Sequence, residues 1–248
     1  MDVARARNDW GSGMAGKEAS MLGLRRIALL EGLSDAVLAA LARECVWRNY
    51  AGGQRIIARD ADDRSVHFVI AGRVRATTYS RSGRQVTFRD QQAGDFLGEV
   101  AAIDGLPRSV DVIALDSTLV ASMTPAAFAR LLHEQPVVAG RVLRRLAALV
   151  RGLSERVIDL STLGVQNRIH AELLRLARAA GIRDNTARIE PAPPHTDIAS
   201  QVSTYREQVT RELSALVKAG LLAKDRRALV VLDVARLGRL VDEVRAAA

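Results

Sequence analysis

Arg206, Glu207 and Arg211 share one face of a predicted helix inside the stretch DIASQVSTYREQVTRELSALV. A guanidinium can donate two parallel hydrogen bonds to guanine O6 and N7, and a carboxylate can accept from cytosine N4, each contact discriminating by about 1–3 kcal/mol. Three charges by themselves equally describe a solvated helix face, with Glu207 and Arg211 paired at i,i+4. The surrounding residues decide the matter. Ile198, Ala199 and Val202 make the apolar face of a preceding helix, Ser203-Thr204 is a short polar turn, and Val209, Leu213, Leu216 and Val217 back the second helix. In that arrangement the first helix braces the second, whose N-terminal residues enter the major groove of a duplex. His195, Thr204, Tyr205, Gln208, Arg226 and Arg227 are expected to approach phosphates, which fix position without reading sequence.

A second block, GDFLGEVAAIDGLPRS from Gly94 to Ser109, has the parts of an anion cradle. Gly98 and Glu99 open a short predicted helix, and Gly105-Leu106-Pro107 turns the chain into Arg108-Ser109. Free backbone N–H groups at a helix start and a guanidinium suit a phosphate, and a fixed carboxylate nearby can accept from a sugar hydroxyl.

These residues need a scaffold, and the sequence divides into four segments. Residues 1–20 lack an apolar run and read as a flexible tail, and residues 21–136 as a sensory domain. Residues 137–163 read as a long helix, and residues 164–248 as a winged helix-turn-helix domain. Leu22 to Leu41 repeats apolar residues at helical spacing, with Ser34 as a helix cap. From Trp47 to Met123, short β-branched runs punctuated by glycines predict an antiparallel barrel or roll of about eight strands. Ala139, Val142, Leu146, Leu149, Leu153, Leu160 and Leu163 occupy one heptad frame, broken by Arg156, which predicts a dimer seam. Gly164 is the expected hinge. LLAKDRRALVVL reads as a β-hairpin turning at Asp225, Arg226 and Arg227, and Asp233 as the cap of a last helix. The fold class is α+β.

The chain has 248 residues, a formal charge of +8 and 48% hydrophobic residues, enough for two modest cores. The positive excess is equal in residues 21–163 (19 basic, 15 acidic) and 164–248 (14 basic, 10 acidic), so charge implies a polyanionic partner without locating its surface. One cysteine, Cys45, excludes an internal disulfide or a cysteine-built zinc or iron–sulfur centre within one chain. No segment approaches the roughly 20 apolar residues of a membrane span. The expectation is a cytoplasmic protein without a membrane partner or a bound metal.

The stretch Arg206, Glu207, Val209, Arg211 resembles the recognition helix of the Crp-Fnr family of bacterial transcription regulators, in its catabolite-activator version. The resemblance covers nearly everything after residue 20. It implies a cyclic-nucleotide-binding β-roll, a dimerisation helix, and a two-fold dimer reading a TGTGA-like half-site twice on double-stranded DNA, with RNA polymerase as a further partner. Gly94–Ser109 resembles the family's phosphate-binding cassette. By that resemblance Glu99 holds the ribose 2′-hydroxyl, while Arg108, Ser109 and the amides of Gly98, Glu99 and Val100 hold the cyclic phosphate. Val110 and Asp111 stand where the family has smaller or hydroxyl residues. Leu153 and Ser154 stand where the catabolite activator has adjacent Thr and Ser against adenine, so cyclic AMP, cyclic GMP or weak selectivity between them all stay open.

Two other readings compete. A haem or redox sensor would draw ligands from Cys45, His67, His133, His170 and His195, none of which sits in a metal-binding motif. A cyclic-nucleotide hydrolase would need a metal cluster or a positioned base beside the phosphate, and no His-Asp pair or HExxH is present; the expectation is a non-enzyme. Trp47, Tyr50, Phe68, Phe88 and Phe96 are expected in the roll core. Arg108→Ala is expected to remove the response to effector and leave folding nearly intact, because Arg108 lies in a polar loop.

Overall fold

The computed structural model describes residues 21–80 and 85–246; the N-terminal tail and the Ser82-Gly83 turn of the sequence analysis lie outside the described residues. Two compact units divide the chain, one running to Thr78 and resuming from Phe88 to Leu146, the other taking Tyr79–Thr87 and everything from Ala147. The architecture is α+β.

The first unit opens with a helical turn over residues 21–25, a 3-10 turn at Ala28–Leu30 and helix α1 (Asp35–Glu44). Ser34 caps α1, its Oγ accepting from the N–H of Val37 at 3.4 Å. Eight strands follow: β1 (Val46–Tyr50), β2 (Arg55–Ile57), β3 (Val66–Ala71), β4 (Arg73–Tyr79), β5 (Gln85–Gln92), β6 (Phe96–Leu97), β7 (Asp111–Ala114) and β8 (Thr118–Met123). They form two four-stranded sheets, ordered β1-β8-β3-β6 and β2-β7-β4-β5. Helix α2 (Glu99–Asp104) interrupts the strands, and α3 (Pro125–Glu134) follows them, capped by Thr124. Phe68, Phe96, Met123 and Phe128 are buried with Leu38 and Leu41 in one cluster. The aromatic expectation holds for Phe68 and Phe96, whereas Phe88 is 40% exposed.

Helix α4 (Pro136–Thr162) has 27 residues, hence a length of about 40 Å at ~1.5 Å per residue. The heptad frame drawn from the sequence is corrected here. Val142, assigned to the seam, is 2% exposed and packs with Val138 into the core of its own unit, and Leu163 is buried as well. The apolar side chains left exposed include Leu143, Val150 and Val157, spaced by seven, with Leu153 and Leu160 each three residues beyond the last two. The helix carries two overlapping apolar stripes, and the frame had merged them. Arg156, which broke that frame, points elsewhere: within the second unit its Nη1 donates to Thr87 O at 2.6 Å and its Nη2 to Gln201 O at 2.8 Å.

The second unit continues past Gly164, whose extended backbone (φ −61°, ψ 158°) caps α5 (Val165–Ala180). Then come β9 (Ile182–Arg183), β10 (Thr186–Ile189), α6 (His195–Gln201), α7 (Arg206–Lys218), β11 (Leu222–Asp225), β12 (Ala228–Val231) and α8 (Val234–Ala246). The sheet is ordered β11-β12-β10-β9. Asp233 caps α8 through the N–H of Arg236 at 2.8 Å. Ile169, Leu173, Val209, Leu213, Val231 and Leu237 form the centre of this core.

Candidate functional site

In the second unit, α6 and α7 are the two helices predicted around Ser203-Thr204. Ile198, Ala199 and Val202 are buried from α6 and its end, Val209, Leu213 and Leu216 from α7. Val217 was expected among them but is 38% exposed, one position beyond the buried stripe. Ser203 adopts a left-handed backbone (φ 54°), which reverses the chain in so short a turn. Thr204 is only 6% exposed and its N–H donates to Ala199 O at 2.9 Å, so it closes the turn and is removed from the surface assigned to it. Arg206, Glu207, Gln208 and Arg211 are exposed, and Tyr205 is 64% exposed.

His195, at the start of α6, places Nδ1 2.7 Å from Thr210 Oγ1, while that hydroxyl donates to Arg206 O at 3.0 Å. The hydroxyl proton is thus committed, and His195 must supply the N–H; its Nε2 edge is the one left for a phosphate. Partial burial, then the charges of Lys224 and Arg206, hold His195 below its ordinary pKa. Arg226, at the tip of the β11–β12 wing with φ 51°, and Arg227 are exposed. A pair absent from the sequence reading braces α7 from behind: His170 Nε2 on α5 lies 2.6 Å from Glu212 Oε1.

In the first unit, Gly98 and Arg108 are locked together. Arg108 is 3% exposed, its Nη1 donating to Gly98 O at 3.1 Å and its Nη2 to Ser65 O at 2.6 Å, with Asp63 Oδ2 at 3.4 Å. Gly98 has φ +87°, and a Cβ there would fall 2.6 Å from Arg108 Nη1 and 2.7 Å from Ser65 O, so no other residue fits. Glu99, 2% exposed, opens α2, with Arg89 Nη2 3.9 Å from its Oε1. Ser109 is exposed, Val100 is 38% exposed and Val110 is half-buried. On α4, Leu153 is 42% exposed and the exposed Ser154 turns its hydroxyl back onto Val150 O at 3.0 Å.

Asp63, Ser65, His67 and Ser122 were not anticipated as members of this network. Asp63 accepts from Ser65 N–H and Oγ; burial would raise its pKa, but those bonds and the charge of Arg108 leave it lowered. His67, 4% exposed, sets Nδ1 2.8 Å from Ser122 Oγ. Burial, then Arg108, pushes its pKa down to about 4, so it is neutral. Burial draws Arg108 itself below the usual guanidinium range, opposed by Asp63 and Glu99, yet it stays a cation. Its Nε is buried with no hydrogen-bond partner among the described residues. An orphaned donor of this kind beside a buried carboxylate suits a ligand combining an anion with hydroxyls.

Of the candidate metal ligands, His67, His170 and His195 each have a ring nitrogen within hydrogen-bond distance of a neighbouring side chain. Cys45 is buried and its thiol is pushed up to about 12 by burial and then Glu44, which makes it a poor thiolate ligand. Among the described residues no group of three His, Cys, Asp or Glu could hold a metal ion, and no helix is long and apolar enough to cross a membrane.

Comparison with known proteins matches residues 47–135 to the cyclic nucleotide-binding domain and residues 167–240 to the Crp-like helix-turn-helix domain. The chain is 24% identical over 217 residues to a CRP-like cAMP-activated global transcriptional regulator of Mycobacterium tuberculosis, covering 87% of this chain and 97% of that protein. It is 29% identical over 192 residues to the transcriptional regulator LdrP of Thermus thermophilus, covering 77% and 95%. Among solved structures, a CooA mutant from Carboxydothermus hydrogenoformans shares the fold with a TM-score of 0.74 at 19% identity, covering 89% of this chain and 95% of that one. With a cyclic nucleotide-binding domain followed by a Crp-like helix-turn-helix, the chain is a DNA-binding transcription regulator of the Crp-Fnr family.

Proposed function

We propose that the protein is a cyclic-nucleotide-controlled homodimer that reads a palindromic, TGTGA-like operator in the cytoplasm and works with RNA polymerase at promoters. The observation that carries the effector reading is Arg108, a buried guanidinium fixed by Gly98, Ser65 and Asp63 with one N–H unmatched. In this reading Arg108, Ser109, Val110 and the amides of Gly98, Glu99 and Val100 hold the cyclic phosphate, and the Glu99 carboxylate accepts from the ribose 2′-hydroxyl. Ser154, beside Leu153, meets the base, and cyclic AMP or cyclic GMP is the effector. The mammoth difference from a hydrolase is the role of Glu99: it anchors the sugar and takes no proton in a reaction.

The exposed stripe of Leu143, Val150, Leu153, Val157 and Leu160 supports pairing of α4 with a second copy. Arg206 and Arg211 read guanines and Glu207 a cytosine, while His195, Tyr205, Gln208, Arg226 and Arg227 position the duplex through phosphates. Control is a population shift, in which the effector prefers the state whose recognition helices stand about 34 Å apart, one turn of DNA. A ligand with equal affinity for both states would change nothing.

The decisive experiment is calorimetric titration of the full chain with cyclic AMP and cyclic GMP, followed by operator binding with and without each. Tighter DNA binding with one nucleotide is expected; no change at saturation with either refutes the effector reading. An absorbance spectrum of the purified protein separates the haem-sensor alternative, which predicts a Soret band. Release of linear nucleotide monophosphate would identify a hydrolase.

A further inference from the structure

A second basic concavity opens in the first unit, lined by none of the residues assigned to the effector. It is a cleft of about 370 Å³ whose lining includes Leu29, Asp95 and Phe96 and three arginines of α4, Arg141, Arg144 and Arg145. Their i, i+3, i+4 spacing places the three guanidinium side chains on one helix face, where like charges repel. Nothing in the cleft offsets that repulsion fully. Asp95 is the one carboxylate in the lining, and it already accepts from Gln92 N–H at 3.0 Å.

Arg141 is held by neutral acceptors, its Nη1 donating to Leu29 O at 3.0 Å and to Glu31 O. Arg144 is exposed and makes no ion pair among the described residues. Arg145 sits with its guanidinium carbon 5.6 Å from the Phe96 ring centroid, and its Nε is buried without a hydrogen-bond partner. The charge on Arg145 is felt next door, where burial and then Arg145 depress Arg89. Converging guanidiniums with unmatched donors are suited to an oxyanion of charge two or more, whose oxygens accept in pairs. The volume lies in the range of small-molecule sites.

We propose that this cleft is a second anion site, taking a small phosphate-bearing solute through Arg141, Arg144 and Arg145. It does not rest on the effector reading: its three arginines are not among the effector residues, although Arg89 beside Glu99 also feels Arg145.

The test is calorimetry on the full chain at low ionic strength with inorganic phosphate in one arm and pyrophosphate in the other, beside sodium chloride of matched ionic strength. Saturable binding of at least one phosphate probe is expected, weakened at least tenfold in R144Q/R145Q. Preference between the arms separates a single phosphate from a diphosphate. If R144Q/R145Q loses its folded circular dichroism spectrum, the single change R144Q, at an exposed position, must still weaken binding severalfold. Absence of binding in both arms, or full retention of binding in R144Q/R145Q, overturns the proposal.

Discussion

His67 Nε2 lies 3.4 Å from Nη2 of Arg108 in the interior of the roll, with His67 Nδ1 2.8 Å from Ser122 Oγ. A neutral imidazole can satisfy both neighbours, donating from Nδ1 to the serine and turning the Nε2 lone pair toward the guanidinium. Protonated, it would set two cations against each other. Its folded pKa is about 4 against 6.5 in the free side chain, so between those values the unfolded chain holds the extra proton. Stability therefore rises with pH through this window, is complete above 6.5, and is lost as pH falls from 6.5 toward 4. The expected loss between pH 7 and 4.5 is about 2–3 kcal/mol from this group. Urea unfolding across that range checks it: H67Q should flatten the profile, and a profile identical to the parent's would exclude His67 as its source.

Arg108→Ala is now expected to cost folding stability as well as effector binding. The sequence placed Arg108 in a polar loop, but its side chain is buried and satisfies Gly98 O and Ser65 O, acceptors that truncation leaves unmatched. Two charged hydrogen bonds to part-buried carbonyls imply a loss of about 2–4 kcal/mol. Chemical denaturation measures this directly, and calorimetry with cyclic AMP and cyclic GMP tests binding under conditions where the variant remains folded. A fully stable variant would show that the loop adapts.

At the DNA surface, the two kinds of contact predict different losses. Arg211→Ala should cost about 1–3 kcal/mol on the best operator and relax the preference at one base pair of each half-site. Arg226→Ala should weaken all sequences alike and lower the salt slope by about one. Fluorescence anisotropy against operator variants at several salt concentrations distinguishes them; a uniform loss for Arg211→Ala would reassign that residue to the phosphates.

His195 is expected to give DNA binding a pH dependence. In the free protein, partial burial, Lys224 and Arg206 keep its pKa lowered, so it is mostly neutral at pH 7. A phosphate at Nε2 would favour the cation, so the complex takes up a proton and affinity should rise as pH falls from 7.5 toward 6. H195Q should remove much of that rise. An equal slope in parent and variant would place the proton uptake elsewhere.

The reach of sequence reasoning follows from where the partners lie along the chain. Arg206, Glu207 and Arg211 were legible because one helix sets their geometry, and Gly98, Glu99 and Arg108 because one continuous segment holds them. Asp63, Ser65 and His67 come from one stretch and Ser122 from another, with β3 and β8 paired so that His67 faces Ser122, and no local spacing announces that register. The β9–β10 hairpin was missed although its signal was present. Asp184 and Asn185 both have positive φ, 47° and 60°, the conformation of a two-residue hairpin turn that such residues tolerate. Thr204 looked like a surface hydroxyl because burial at a tight turn depends on what packs around it.

Periodicity offered several apolar rows on α4, and only packing separates them: Val138 and Val142 are used by the unit's own core, whereas Val150 and Val157 are 63% and 62% exposed. Apolar residues seven apart on the solvent face are what a second helix can cover, and a carboxylate there would be forced either into a buried pair or out of it. V150E/V157E should thus yield a folded monomer by sedimentation, with operator affinity reduced at least tenfold because the two half-sites no longer bind as one unit. V142E should instead unfold the first unit, since that side chain is 2% exposed. If V150E/V157E sedimented as a dimer and bound the operator normally, the pairing face of α4 would have to be sought on another row.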